Sequence, residues 1–448
     1  MYLKRSLSLV LVVILAISLM AGCGAGKSTD ASGTSSKSTS ASNNDTQTSN
    51  SDSQAGSNEP VTLKVLAGQS TTDTGIEDMI DEALAKKYPN ITLEWECVGW
   101  GQDFNAKMQQ YMQSGLPDIM VAKAQDVATY GSQGLLGDLT GKPYLENVLE
   151  ASIPGVTVDG KVQGLVYNAL YQGVYYNRKI FKENNIQIPK TLDELNAVIE
   201  KLKSLNITPF ATHFLDTWSI GNITMQFAIN DVFSKDAKWG DKFRAGEVSF
   251  AASPEYRACY EYNKLIYDNT WSDETFSIEQ TECDKRLITG KAAMKVSGSW
   301  SIQNFLDVDP NADFGVFPFP NKDGNAKLIF EPNIAFMMSA NSDKKDAIDK
   351  VFDVLMTDKE LALEIYNFTK TAPMLKDVTP TYPNPSQKDI DQYAVEGKIV
   401  DANTGNTQLI WGGFQEENAK DIASWLQGKI SLDDALKAAD SRKENSKP

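Results

Sequence analysis

Residues 61–98 of the chain, VTLKVLAGQSTTDTGIEDMIDEALAKKYPNITLEWECV, decide its fold class. Apolar residues alternate with other residues in 61–66 and again in 91–98, which is the period of a β-strand. Between these segments apolar residues recur at helical spacing in 76–84, and the pattern stops before Pro89. A strand, a helix and a strand in one short stretch predict a βαβ unit, and therefore parallel strands joined by a right-handed crossover.

The same alternation of elements continues along the chain. Helical patterns follow around residues 104–112 and 127–135, and together with the first unit they predict an α/β lobe. A second, helix-rich part begins near Tyr175, and its clearest helix begins at the capping box Thr191-Leu-Asp-Glu194. Further strands are predicted at 119–122, 291–297 and 329–338.

The N-terminus has the form of a targeting segment. Lys4 and Arg5 precede an apolar run at 7–20, and small residues lead to Cys23. We therefore predict that residues 1–22 are a signal peptide. Met20-Ala-Gly-Cys23 resembles a bacterial lipobox, in which the cysteine receives a lipid that holds the protein on a membrane. An ordinary secretory signal or an uncleaved anchor helix is the alternative.

Residues 23–60 are predicted to connect the lipidated cysteine to the folded part. After Cys23 they are almost entirely Ser, Thr, Asn, Asp and Gly. Such a segment buries too little apolar surface to offset its ordering entropy, so it is expected to be a disordered, flexible tether. A disordered tail without a role is the alternative.

Composition excludes several classes of function. The chain has 43 basic and 59 acidic residues, a net charge of −16, and this argues against nucleic acid as a partner. His213 is the only histidine, which argues against histidine-dependent nucleophiles and most catalytic zinc sites. We expect no metal, no cofactor and no catalysis, and we expect His213 to be structural or at a pocket edge. Cys97 is predicted to be buried on a strand, while a bridge between Cys259 and Cys283 stays open.

Five segments resemble, in order, the extracellular sugar-binding proteins of ABC importers, the family that includes maltose-binding protein. Arg178, Leu192 and Leu287 depart from the residues that are commoner in the family at their positions. The segments are Gly115-Leu-Pro-Asp118, Tyr175–Phe181, Ile188–Leu195, Leu287–Met294 with Gly298-Ser-Trp300, and Trp425–Ala435.

The resemblance implies an α/β fold with two lobes, each a mainly parallel sheet flanked by helices, and a hinge between them. Lobe 1 is expected to combine residues 61–170 with 335–372, and lobe 2 to combine 171–334 with 373–448. The family also implies a monomer.

A sugar site needs flat aromatic plates for the apolar ring face and planar polar groups for the hydroxyls. Trp100, Trp218, Trp300 and Trp411 lie in predicted loops or at strand ends, and Trp300 occupies the position where the family commonly stacks an aromatic ring. Asp126 has helix capping as an alternative role, and Tyr171 and Glu331 have hinge structure. The polar candidates are Gln69, Lys123, Gln125, Asp126, Tyr171, Asp216 and Glu331.

The sequence thus predicts a lipid-anchored protein on the outer face of a bacterial cell membrane. It would capture a mono- or oligosaccharide in an interlobe cleft, close around it, and deliver it to the permease subunits of an ABC transporter. Three alternatives stay open. They are a non-sugar solute such as a polyamine, a sensor as the partner, and a surface lipoprotein that degrades polysaccharide with two carboxylates.

Overall fold

The computed structural model describes residues 59–69, 74–402 and 413–446. The predicted signal peptide, Cys23, the tether up to residue 58 and Trp411 lie outside these residues.

The opening βαβ unit is confirmed. β1 (Val61–Gln69), α1 (Ile76–Lys87) and β2 (Ile91–Gly99) follow one another, and β1 pairs with β2 in parallel. Acidic residues occupy the first turn of α1 and basic residues its last turn, as the helix dipole favours. The helix buries one apolar face against the sheet, so the 3.6-residue period seen in the sequence reports its packing.

The remaining strands and helices alternate along the chain. The further strands are β3 (Ile119–Lys123), β4 (Thr157–Val158), β5 (Lys161–Val162), β6 (Leu165–Val166), β7 (Asn168–Asn177), β8 (Thr208–Phe210), β9 (Ala292–Gly298), β10 (Phe314–Phe317), β11 (Leu328–Pro332), β12 (Ile334–Met338), β13 (Ala372–Pro373) and β14 (Ile399–Asp401). The further helices are α2 (Gln102–Ser114), α3 (Asp126–Ser132), α4 (Arg178–Glu183), α5 (Leu192–Ser204), α6 (Trp218–Ala228), α7 (Trp239–Ala245), α8 (Pro254–Tyr267), α9 (Gln280–Ile288), α10 (Ile302–Val308), α11 (Lys345–Thr357), α12 (Lys359–Thr369), α13 (Gln387–Val395), α14 (Gly413–Leu426) and α15 (Leu432–Ser441).

Two large sheets organise most of these elements, and β4 and β5 form a separate antiparallel pair. The first has the strand order β2-β1-β3-β12-β6, and the second has the order β14-β11-β7-β9-β8, with β10 and β13 also paired to β7. β11 and β12 are separated only by Asn333, so the predicted strand region 329–338 is two strands in different sheets.

The prediction of a mainly parallel sheet is wrong for the second sheet. Its central strand β7 pairs antiparallel with β9, β10, β11 and β13, and only the β8/β9 and β11/β14 pairs are parallel. β7 enters the second sheet directly from β6 of the first sheet, whereas β8 and β9 arrive through helices and run in the opposite direction. No helical crossover therefore makes β7 parallel to the strands beside it.

Each sheet has its own hydrophobic core. The first core runs from Leu63 to Ala169 and resumes from Ala335 to Val378. The second sheet is packed by two clusters drawn from residues 174–329 and from 390–439. Burial of each large apolar side chain contributes roughly 1.5–3 kcal/mol, so each half is stabilised by a core of its own.

Local details confirm some expectations and correct others. Thr191 caps α5, its Oγ1 accepting from the N–H of Glu194 at 3.3 Å, while the Glu194 carboxylate accepts from the N–H of Lys190 instead of that of Thr191. Helix α3 ends at Ser132, three residues earlier than its apolar pattern suggested.

The cysteine prediction is wrong for one residue. Cys97 is exposed, because β2 is the edge strand of its sheet and both of its faces are only partly covered. Cys259 and Cys283 are both buried and both free, so no bridge joins them. In the described part of the chain, no helix is long and apolar enough to cross a membrane.

Candidate functional site

Trp100 lies just beyond β2, with its ring flat against the backbone of β1. A Cβ atom placed on Gly68 would lie 2.0 Å from Cζ3 of Trp100, so only glycine leaves room for the indole there. Phe104 packs 5.5 Å from the ring, measured between centroids. Trp100 is therefore a supported aromatic plate at the carboxyl end of the first sheet.

Lys123, the last residue of β3, connects this plate to the crossing between the sheets, which is the point between β11 and β12 where the chain passes from one sheet to the other. Its Nζ lies 4.4 Å from the centroid of the Trp100 ring, within the range of a cation–π interaction. The same Nζ donates to Oδ1 of Asn333 at 2.8 Å. The structure therefore brings together Trp100 and Lys123, two of the residues proposed from the sequence.

Glu331 lies beneath the crossing and is 4% exposed. Gln172 donates to its carboxylate, and Gln125 forms a second hydrogen bond with it. Burial raises the pKa of Glu331 to about 7, although Lys123 and these amides act in the opposite direction. The carboxyl group therefore joins residues of both sheets, and it changes charge near neutral pH.

A row of amide side chains continues from Glu331 into the second sheet. Oε1 of Gln172 accepts from Nδ2 of Asn222 at 3.0 Å, and Nε2 of Gln226 donates to Oδ1 of Asn222 at 3.0 Å and to the carbonyl of Ser297 at 3.3 Å. Sequence reasoning missed these three residues. The available signal was an Asn and a Gln four residues apart in α6, a helix that is otherwise largely apolar.

Trp300 is the corresponding plate of the second sheet. It lies in the one-turn 3₁₀ helix Ser299–Ser301 directly after β9. A Cβ on Gly298 would lie 2.0 Å from its Cζ3, so this ring too is seated on a glycine. Its Nε1 is buried and makes no hydrogen bond within the described residues.

Trp218 begins α6 and stands nearly perpendicular to Trp300, with the ring centroids 6.1 Å apart and an interplanar angle of 74°. It is 39% exposed, and the ring of His213 packs 5.4 Å from it. Burial, and then the nearby charge of Lys295, lower the pKa of His213 well below its ordinary value. The imidazole is therefore neutral, and its Nε2 is a second buried atom without a partner in the described chain.

The other polar candidates have varied positions. Asp126 is the first residue of α3, and Gln125, not Asp126, is the N-cap. Burial raises the pKa of Asp126 to about 6 against the effect of Lys123. Tyr171 lies in β7, and its N–H donates to Oγ of Ser299 beside Trp300 at 3.2 Å. Burial raises the pKa of its phenol.

Two candidates lie apart from this chain of contacts. The amide of Gln69 donates to Glu77 at 2.9 Å. Asp216 is exposed, and its main-chain carbonyl accepts from the hydroxyl of Ser219 at 3.0 Å. Trp411 and Cys23 lie outside the described residues. The structure thus joins Trp100, Lys123, Gln125, Asp126, Glu331, Tyr171, Trp300 and Trp218 into one path from sheet to sheet.

The arrangement suits binding by stacking and by hydrogen bonding. Among the described residues no group of three His, Cys, Asp or Glu side chains is placed to hold a metal ion. Two cavities lie within the second half, and their described lining residues do not include Trp100, Trp218 or Trp300.

The chain is similar to a known protein family and to proteins of solved structure. The family of bacterial extracellular solute-binding proteins matches residues 67–362. An uncharacterized ABC transporter extracellular-binding protein of Pyrococcus horikoshii is 26% identical over 300 residues, which cover 65% of this chain and 68% of that protein. The multiple sugar-binding protein of Streptococcus mutans is 23% identical over 305 residues, covering 67% and 72% of the two chains.

A solved structure of a chitin oligosaccharide binding protein superposes with a TM-score of 0.74 at 21% identity, covering 86% of this chain and 99% of that one. This likeness shows the fold and confirms the predicted two-lobed α/β class. The family and these relatives are solute-binding proteins and not enzymes. The resemblance seen in five ordered motifs is confirmed in the same way: the chain belongs to the family of bacterial extracellular solute-binding proteins.

Proposed function

We propose that the protein is the lipid-anchored, carbohydrate-binding component of an ABC importer. It captures a mono- or oligosaccharide in the cleft between lobe 1, residues 61–170 with 335–372, and lobe 2, residues 171–334 with 373–448, and delivers it to the permease. It acts as a monomer on the outer face of the cell membrane, held through Cys23 after removal of residues 1–22. It catalyses no reaction, uses no cofactor and binds no nucleic acid.

One observation carries the sugar assignment. Trp100 and Trp300 are each seated on a glycine beyond the carboxyl end of a strand, in two different sheets. The path between them consists largely of amide side chains and of one buried carboxyl group. Apolar plates joined by planar hydrogen-bonding groups match the apolar face and the hydroxyl rim of a pyranose ring. Relatives named for sugars and for chitin oligosaccharides support the same choice.

The charges favour a neutral ligand over a polyamine. The ammonium of Lys123 lies against Trp100, so a polycation stacked there would meet a like charge. His213 is neutral, and the indole N–H of Trp300 is a donor that an ammonium group does not accept from.

A polysaccharide-degrading role would require two carboxyl groups that flank one glycosidic bond. Glu331 is 4% exposed and is hydrogen-bonded to the protein's own amides, so it is poorly placed to flank a glycosidic bond. This leaves binding as the activity that the geometry supports.

The test is a thermal-shift screen followed by calorimetry with galactose, raffinose, maltotriose, chitin oligosaccharides and spermidine. We expect one class of sugar to raise the melting temperature by mass action and to be recovered unchanged by chromatography. Trp300→Ala should abolish the shift, while Trp95→Phe, on the edge strand β2, should keep it. A shift with spermidine alone would reject the carbohydrate assignment, and cleaved sugar would reject a purely binding role.

The anchor has a separate test. Cells that express the protein are fed a labelled fatty acid, and we expect label on the wild type but not on Cys23→Ala. Label that persists in Cys23→Ala would reject Cys23 as the lipid site, without bearing on ligand binding.

A further inference from the structure

The short helix that carries Trp300 is too small to fix its own orientation. Residues Ser299–Ser301 form a single 3₁₀ turn, and such turns have poor hydrogen-bond geometry and depend on their surroundings. Neighbouring hydroxyls supply the support. Oγ of Ser301 lies 3.0 Å from Oγ of Ser297 and accepts from Nε2 of Gln280 at 3.3 Å.

Beneath this turn lies a buried ion pair. Lys295 of β9 donates to Oδ1 of Asp284 of α9, and the two side chains are 1% and 0% exposed. Oδ2 of Asp284 accepts from Asn304 at 2.8 Å and from Gln280 at 3.4 Å. One carboxylate thereby connects the strand before Trp300, the helix after it, and the amide that supports Ser301.

A buried ion pair is weak evidence for stability, because well-packed apolar residues of similar volume often do as well or better. Apolar residues could not, however, do what the Asp284 carboxylate does. It accepts hydrogen bonds from Lys295, Asn304 and Gln280 together, in fixed directions. The pair is therefore better explained by what it orients than by what it stabilises.

A second route connects the pair to Trp300, through His213 and Trp218. The charge of Lys295 helps to keep His213 neutral, and His213 packs on Trp218, which stands perpendicular to Trp300. We propose that Asp284 and Lys295 are positioning residues, which fix the angle of the Trp300 plate without touching the ligand. One consequence of this positioning, that the pair sets ligand affinity, rests on the proposed function. The orientation of Trp300 itself is measurable without any ligand.

The experiment uses the protein labelled with 5-fluorotryptophan, with the ¹⁹F resonance of Trp300 assigned from Trp300→Phe. Ser301→Ala cuts the link from Gln280 while leaving the ion pair intact, and Asp284→Ala removes the carboxylate. The matched control is Asp421→Ala, which breaks the Asp421–Arg442 pair at 2.5 Å in another part of the same half. The resonance of Trp239, buried in the second core, serves as the internal reference.

We expect the Trp300 resonance to shift and broaden in Ser301→Ala and in Asp284→Ala, while the Trp239 resonance stays in place and Asp421→Ala leaves both unchanged. With a sugar that binds the wild type, we expect affinity to fall about tenfold in Ser301→Ala, because a loosened site must be ordered on binding. A Trp300 resonance unchanged in both variants would overturn the inference, even if both variants melted earlier. If no sugar bound the wild type, the proposed function would fail while the fluorine result still decided the positioning role.

Discussion

Gly101 and Glu416 are neighbours in space, although they belong to different halves of the molecule. A Cβ placed on Gly101 would lie 3.7 Å from Oε1 of Glu416. Gly101 precedes α2, which packs into the first core, whereas Glu416 is in α14, which packs into the second. The two residues lie apart from the strands that carry the chain between the sheets, and Gly101 is next to Trp100 in the sequence.

Glu416→Ala is expected to shift the ligand-free protein towards more open forms, because it removes a side chain of the second half that lies beside Gly101 of the first half. The measurement is the radius of gyration by small-angle X-ray scattering, which should rise. Glu417→Ala removes the neighbouring carboxylate, which pairs with Lys420 on the same helix, and should leave the radius unchanged. Equal values for all three proteins would contradict the prediction.

Gly298→Ala should displace the Trp300 ring, since its new Cβ would overlap Cζ3. We expect a loss of about 1–3 kcal/mol in unfolding free energy and a clear loss of affinity for the sugar found in the screen. Gly99→Ala is the matched change, since the nearest atom to its Cβ is Oδ2 of Asp103 at 3.6 Å, an ordinary contact. An unaltered affinity in Gly298→Ala would show that the ring has room to move.

Glu331 predicts how stability depends on pH. Its pKa is about 7 in the folded protein against an ordinary 4.5, so the folded state holds its proton more tightly. The stability from this group is complete below pH 4.5 and is lost as pH rises to about 7, a change of about 3 kcal/mol. Asp126 acts in the same direction, so the informative quantity is the difference between wild type and Glu331→Gln.

Denaturant unfolding at several values of pH between 4.5 and 7.5 measures that difference. The wild type should lose more stability than Glu331→Gln across the range. Parallel curves for the two proteins would mean that the carboxyl group titrates normally, and that its burial is less complete than the structure shows.

The thiols give a direct check on burial. In a Cys23→Ser background, we expect Cys97 to react with a thiol reagent in the native state, and Cys259 and Cys283 to react only after unfolding. Adding Cys97→Ser should abolish the native reaction. Two thiols missing from the unfolded count would instead indicate a disulfide.

The sequence predicted those elements whose pattern is local. The βαβ opening followed from periodicity and from Pro89, and the start of α5 followed from its cap at Thr191. The direction of β7 could not be predicted, because an apolar run looks the same whether its neighbours are parallel or antiparallel. Cys97 was misplaced for a related reason, since alternation does not say that a strand lies at the edge of a sheet.

Of the candidate site, Trp100, Trp300 and Lys123 could be proposed from their places at strand ends. Their supports could not. Gly68 and Gly298 are ordinary glycines in the sequence, and only the structure shows the ring that covers each. The amides of Asn222 and Gln226 were hidden within a helix that looks like core, because the partner that satisfies them is distant in the chain.

A single residue, Asn333, separates a strand of one sheet from a strand of the other. Its N–H donates to the carbonyl of Asn168 at 2.9 Å, and its side chain accepts from Lys123. Any change in angle between the sheets must therefore be absorbed at this point by very few backbone torsions. Few torsions mean little conformational freedom to lose at this crossing, so ordering it would offset little of the free energy of ligand contact.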